Sequence, residues 1–208
     1  MKETTRIYLC IDLKCFFASV ECVERQLDPF TTPLVVADPS RGRGAICLAV
    51  SPKMKSLGVK NRCRIYEIPS TITYQVALPR MNLYMDYASR IYAIYLKYIA
   101  KEDIHVYSID ECFLDVTAYL SLYRMGPTAL AKTILQDIFD TTGICATVGI
   151  GTNLYLAKIA LDLLSKQASN HLGWLDEKAY RDQLWHHRPI TDFWQVGRGI
   201  ATRLARLG

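Results

Sequence analysis

A chain of 208 residues can bury a sizeable core, as one large domain or two small ones, and half its residues are hydrophobic with no low-complexity tract, which excludes a disordered polymer. No apolar run approaches the roughly 18 residues that a membrane span needs, and the opening MKETTRIYLCIDLK meets charge too early for a secretory leader, so the expectation is a soluble cytoplasmic protein with no membrane partner. The net charge of +5 is local: Arg41, Arg43, Lys53, Lys55, Lys60, Arg62 and Arg64 share a stretch without a single acid, which leaves −2 for the rest of the chain. That segment suits phosphate or nucleic acid, though a solvated basic face has the same composition.

In chain order, RIYLCIDL is a continuous apolar run carrying one acid, as a buried central strand would be. FFASVECVERQL continues with helical periodicity, and Asp28-Pro29 is expected to stop it. Leu34 to Ala37 and Ala45 to Val50 read as short strands around the loop Asp38–Gly44. Ser51 caps a helix with Pro52 in its first turn, and Gly58 closes it. A long helix covers 81–100. HVYSIDECFLDV then reads as two strand pieces meeting around Asp110-Glu111. A further helix, Ala129 to Thr141, follows Gly126-Pro127. Cys145 to Gly151 is a strand, and Asn153 caps a helix running to about Lys166. The last forty residues hold all three tryptophans and read as helical. Strands separated by helices predict an α+β fold around a mixed sheet. The seven cysteines are scattered and form no C-x-x-C pair, so they read as small core residues in a reducing compartment rather than as a zinc site or a disulfide framework.

Three acids stand out because each interrupts apolar sequence. Asp12 lies inside the first strand, where an unpaired carboxylate is expensive to bury, and Asp110-Glu111 lies between Ile109 and Cys112-Phe113-Leu114. Successive strand residues face opposite ways, so two adjacent acids can share a site only across a turn or bulge. Hard oxygen ligands at strand ends, with no histidine nearby, suit Mg²⁺ and not Zn²⁺, and two such ions suit phosphoryl transfer. Each acid alone also reads as a satisfied core or hairpin-tip residue. Asp115 is expected to face elsewhere and to be structural.

The stretch Asp12-Leu13-Lys14-Cys15-Phe16-Phe17-Ala18-Ser19-Val20-Glu21 resembles the opening motif of the Y-family translesion DNA polymerases. Ser108-Ile109-Asp110-Glu111 is similar to their second acidic signature. Gly149-Ile150-Gly151 followed by Leu156-Ala157-Lys158-Ile159-Ala160, and the closing Val196-Gly197-Arg198-Gly199, agree in order and spacing. The resemblance covers essentially the whole chain and is nearest the UmuC-like (ImpB/MucB/SamB) branch.

The resemblance implies a polymerase palm (1–21 and 81–165), a small fingers insertion (22–80) and a helical thumb with a helix-hairpin-helix (166–208). It implies that Asp12, Asp110 and Glu111, helped by the Leu13 carbonyl, hold two Mg²⁺ ions, for which Mn²⁺ could substitute. Phe17 would be the steric gate against a 2′-hydroxyl, with Phe16 beside it. Lys158 and the helix opened by Ser51 and carrying Lys55 would meet the incoming dNTP. Gly197, Arg198, Gly199 and Arg203 would meet the phosphates of primer–template DNA. The function implied is error-prone synthesis across damaged bases in an SOS-type response. Pro52 and Lys55 stand where the family often carries a Tyr and an Arg, so the tyrosine contact is absent and a point charge replaces a bidentate fork. The family continues past the thumb into a little-finger domain and a tail for the sliding clamp. The chain ends at Gly208, which implies a fragment that grips DNA weakly and extends primers poorly. Two other readings fit parts of the pattern: a palm-type cyclase, and a non-catalytic damaged-DNA-binding relative.

Overall fold

The computed structural model describes residues 5–166 and 168–207. They divide into two compact units, one of residues 1–12, 94–137 and 146–208, the other of 13–93 and 138–145. Among the described residues no helix is long and apolar enough to cross a membrane.

The first unit is built on a five-stranded sheet. Its strands are β1 (Tyr8–Leu13), β5 (Ile104–Val106), β6 (Glu111–Asp115), β7 (Ala146–Gly151) and β8 (Leu172–Leu175), in the order β5-β6-β1-β7-β8. The apolar run at the N-terminus becomes the middle strand, as its composition predicts, with Leu9, Cys10 and Ile11 fully buried. β6 runs antiparallel to β1 and to β5, and β7 runs parallel to β8. The register sets Asp12 directly opposite Glu111.

Asn153 accepts from the Leu156 amide at 2.8 Å and starts helix α6 (Leu154–Ile159), which continues as a π-turn over Ala160–Ser165. The glycines of β7 explain how closely this helix lies on the sheet. A Cβ on Gly149 would sit 2.1 Å from the Ala157 carbonyl oxygen, and one on Gly151 would sit 2.2 Å from the Ala157 nitrogen. Backbone therefore packs against backbone, with Ala157 and Leu161 wedged against Cys10 and Phe113.

Beyond the π-turn the sequence reading is corrected in one respect. The last forty residues are not wholly helical, because Leu172–Leu175 forms β8 at the sheet edge before α7 (Glu177–Leu184) and α8 (Arg198–Ala205). Gly173 allows it, lying against the Ala160 carbonyl where a Cβ would come within 2.4 Å. A short helix, α4 (Thr117–Leu122), also went unread. Asp115 behaves as expected, accepting from the Thr117 amide and hydroxyl and pairing with Arg6 at 3.9 Å.

The second unit carries α1 (Phe16–Glu24), α2 (Pro52–Ser56) and a small sheet of β2 (Leu34–Val36), β3 (Ala49–Val50) and β4 (Gln75–Ala77), ordered β3-β2-β4. Two long helices, α3 (Met81–Tyr98) and α5 (Pro127–Thr142), contain the boundaries between units. α1 ends before Asp28-Pro29, because Gln26 turns left-handed at φ 57°. The strand expected over Ala45–Val50 shrinks to Ala49–Val50, preceded by a single bridge from Ile46 to Arg64, and β4 went unread because three residues carry too little pattern. The core here is Val35, Cys47, Val50, Met54 and Cys63 with their neighbours. Five of the seven cysteines are buried, and no disulfide joins any of them among the described residues.

An ion-paired knot holds α1 to the start of α3 inside this unit. The fully buried Glu21 carboxylate accepts a two-pronged grip from Arg80 at 3.0 and 2.7 Å, the Tyr84 hydroxyl at 2.7 Å, and the Arg25 guanidinium. Burial pushes the carboxyl's pKa up, but these donors more than offset it and leave it below the ordinary value. A depressed carboxylate contributes stability above its unfolded pKa and loses it as pH falls through the folded one. We expect Glu21→Gln to cost about 2–3 kcal/mol at neutral pH, since it leaves Arg80 and Tyr84 with a weaker acceptor. The gap to wild type should close as pH falls below the ordinary carboxylate range. Urea unfolding of both proteins across pH checks this, and a gap independent of pH would refute it.

Candidate active site

The site in the first unit starts from the hairpin between β5 and β6. The Tyr107 and Ser108 amides both donate to the Glu111 carbonyl at 3.0 Å, so two residues of one strand face one of the other, as in a bulge. The following bend is tied by the Ser108 hydroxyl, which donates to Asp110 Oδ1 at 2.7 Å. This is the irregularity that two adjacent acids were expected to need. β1 brings Asp12 from the other side, opposite Glu111.

The three acids act on one another through their charges. Burial pushes the Asp12 pKa up, Lys166 pulls it down, and the negative charges of Asp110 and Glu111 push it up again. Such a group of acids needs cations, and in this structure lysines supply them. Lys158, only 6% exposed, donates to Glu111 Oε2 at 2.8 Å and to Asp162 Oδ1 at 3.3 Å. Lys166 lies 2.8 Å from Asp162 Oδ1 and 3.5 Å from Asp12 Oδ2. Burial works against the Lys158 ammonium, but Glu111 and Asp162 outweigh it and hold its pKa above the ordinary lysine value. The Cys10 thiol donates to the second oxygen of Glu111 at 3.3 Å, and its own pKa is pushed far up by burial.

The donor set fits hard divalent cations: two carboxylates facing across adjacent strands and a third in the adjoining bend, with the Leu13 carbonyl next to Asp12 in the chain and no imidazole or thiolate among them. The Glu111 and Asp12 carboxylates face lysines and Asp110 accepts from Ser108, and no group of three His, Cys, Asp or Glu side chains among the described residues is gathered as a finished metal cage.

Of the sequence-predicted residues, the first unit thus brings together Asp12, Asp110, Glu111 and Lys158. Gly197, Arg198 and Gly199 lie in the same unit at the start of α8 and Arg203 in its last turn, all exposed, and a Cβ on either glycine would meet nothing within 4 Å. Phe16, Phe17, Ser51 and Lys55 belong to the second unit. Phe16 is a core residue at 3% exposure, whereas the half-buried Phe17 ring stacks on Tyr84 with centroids 4.4 Å apart and planes 13° apart. Ser51 is fully buried; its hydroxyl donates to the Thr32 carbonyl at 2.7 Å and accepts from the Met54 amide, so its proton is committed to Thr32 and its oxygen to the cap. Lys55 projects into solvent from α2. Within this unit the basic segment borders a pocket of about 580 Å³ lined by Asp38, Arg41, Arg64, Ile46 and Leu48 among others, with Arg41 paired to Asp38 at 3.4 Å.

Sequence reasoning missed Asp162, Lys166, Glu21, Arg80 and Tyr84. Asp162 and Lys166 follow Lys158 at successive four-residue steps, a helical signal that could have exposed them. Arg80 and Tyr84 reach Glu21 from some sixty residues away, and no local pattern marks them.

Comparison with known proteins agrees with this geometry. The impB/mucB/samB family matches residues 11–162. The chain is 34% identical over 209 residues to DNA polymerase IV 2 of Bacillus subtilis (strain 168), covering 100% of this chain and 49% of that protein. It is 33% identical over 201 residues to UvrX of the same organism, a protein named for UV-damage repair, covering 96% and 47%. Among solved structures, the insertion ternary complex of Dbh DNA polymerase superposes with a TM-score of 0.79 at 29% identity, over 97% of this chain and 58% of that one. DinB from Sulfolobus solfataricus gives 0.75 at 30% identity, over 97% and 57%. The α+β fold is therefore that of Y-family polymerase catalytic structures. The chain spans about half the length of the curated relatives it matches. The match runs through the strand that carries Asp12, the hairpin that carries Asp110 and Glu111, and the helix that carries Lys158, and so the chain belongs to the impB/mucB/samB family.

Proposed function

We propose that this chain carries the catalytic centre of an error-prone, DNA-directed DNA polymerase that extends a primer across damaged template bases. The observation that carries this reading is the opposition of Asp12 and Glu111 across β1 and β6, with Asp110 in the adjoining bend. These residues and the Leu13 carbonyl would hold two Mg²⁺ ions, or Mn²⁺ in their place. Bound there, the ions supply charge neutralisation at the phosphate and a more acidic primer 3′-hydroxyl. The chain's own part is to orient the nucleotide. Lys158 offers a cation beside Glu111, and Lys55 with the pocket-lining Arg41 and Arg64 would offer charge for phosphates.

Residues 22–80 would serve as fingers, residues 1–21 and 81–165 as palm, and residues 166–208 as thumb. Gly197 and Gly199 leave room for a DNA backbone at the start of α8 beside Arg198, and Arg203 in its last turn would add charge.

Phe17 would be the sugar gate by its place in the family's opening motif, and its ring is held for such a role: Tyr84 backs it, and Glu21 fixes Tyr84. We expect Phe17→Ala to raise ribonucleotide over deoxyribonucleotide incorporation by roughly 10²-fold, the scale on which a pocket resists an added hydroxyl. Single-nucleotide incorporation with matched dNTP and rNTP checks it, and an unchanged ratio would remove Phe17 from that role. The reading as a whole is tested by primer extension with protein in excess over DNA. Addition that follows the template base supports a polymerase, and addition indifferent to template would favour a palm-type nucleotidyl enzyme.

A further inference from the structure

The carboxylates assigned to divalent ions already have cationic partners. Lys158 is nearly enclosed, and a buried ammonium persists only if paired. It rests between Glu111, at 2.8 Å, and Asp162, at 3.1 Å. Lys166 rests between Asp162, at 2.8 Å, and Asp12, at 3.5 Å. Asp162 thus holds both ammoniums at once, with one lysine four residues before it and one four residues after, and the π-turn over Ala160–Ser165 lies between the two lysines. An oxygen in contact with an ammonium cannot also coordinate a divalent ion along the same lone pair, and the two cations repel at contact distance. Lysine suits such an exchange, being a compact charge on a flexible stem.

We propose that Lys158 and Lys166 are resident counter-cations of this site, that a divalent cation binds by displacing them from Glu111 and Asp12, and that Asp162 is the positioning residue that retains them. The proposal rests on the assignment of Asp12, Asp110 and Glu111 as cation ligands. Its consequence is a division of labour along one helix. The lysines hold three acids, Asp12, Glu111 and Asp162, together before loading, and afterwards they stand beside the site with free charge for a triphosphate.

The test is Mn²⁺ binding to the full chain, followed by electron paramagnetic resonance with neither DNA nor nucleotide present. It is run at about 0.5 M salt, where the screening length of about 4 Å suppresses long-range charge effects and leaves contact effects. The proteins are wild type, Lys166→Met, Asp162→Asn and the site control Asp110→Ala/Glu111→Ala. Lys166 is 43% exposed on its side chain, so its replacement does not hollow the core. We expect Lys166→Met to bind Mn²⁺ about fivefold more tightly, on the scale of one partly exposed ion pair removed from competition. Asp162→Asn should bind several-fold more weakly, because the lysines then rest wholly on Asp12 and Glu111. Damage to the fold would weaken binding in both, so opposite directions identify competition. If the site control loses the Mn²⁺ that wild type binds while Lys166→Met is unchanged or weaker, the proposal fails and the cation site stands. An unchanged Asp162→Asn would remove Asp162 from it. If the site control binds as wild type does, the ligand assignment fails and the proposal with it.

Discussion

Asp110→Ala/Glu111→Ala will reduce template-directed primer extension by on the order of 10³-fold or more, with Mg²⁺ and with Mn²⁺ alike. The scale follows from what the pair would do: groups that balance developing charge in a water-poor site are worth roughly 10²–10³ each, and this substitution removes two ligands together. The fold should survive it. Asp110 lies in a bend tied mainly to Ser108, and loss of Glu111 still leaves the Lys158 ammonium bonded to Asp162. The structural cost should stay at about 1–3 kcal/mol, from an ion pair half broken. Extension and thermal unfolding measured on the same preparations separate the two effects. Activity within tenfold of wild type, with the fold intact, would sink the two-metal reading. If both are lost, the milder Asp110→Asn/Glu111→Gln, which keeps the shape of each side chain, decides between a broken fold and a missing metal site.

Gly149→Ala should be the most damaging single methyl in the first unit. Its Cβ would fall 2.1 Å from the Ala157 carbonyl and 2.2 Å from the Leu161 nitrogen, both backbone atoms of the helix across from β7. A side chain could rotate aside, but a helix backbone must move as a body. We expect a loss of about 3 kcal/mol or more, at the upper end of overpacking, and a fall in melting temperature of roughly 6–12 °C for a chain of this size. Gly126→Ala, where a Cβ meets nothing within 4 Å, is the control and should stay within about 0.5 kcal/mol. The effect should also reach the site, because the helix that would be lifted carries Lys158 to Glu111. Equal stability of the two variants would mean that the helix is not seated as closely as described.

Much of this protein was legible in order along the chain. Continuous apolarity marked β1 as the buried middle strand, an acid inside that run marked Asp12, and an acidic pair in a break between strand patterns marked the hairpin of β5 and β6. Ser51 and Asn153 announced their helices because capping is a local bond between a side chain and an amide three residues on. Short elements such as β4 and β8 escaped because three or four residues carry too little periodicity. β8 also depends on a close approach at Gly173, which only the partner backbone explains.

What the tertiary structure alone decided is who stands beside whom. The register that sets Asp12 against Glu111, the stacking of Phe17 on Tyr84, and the grip of Arg80 on Glu21 join residues between sixty and a hundred positions apart. Lys158 shows the division most clearly. Its helical neighbours Asp162 and Lys166 were written into the spacing, but its burial against Glu111 was not. That follows from two glycines in another strand, which let a helix backbone come close enough to carry an ammonium onto the sheet. Local pattern fixes which residues can do chemistry, because propensity, capping and polarity act within a few residues. Long-range packing chooses their partners, because charge and contact act through space, without regard to sequence distance.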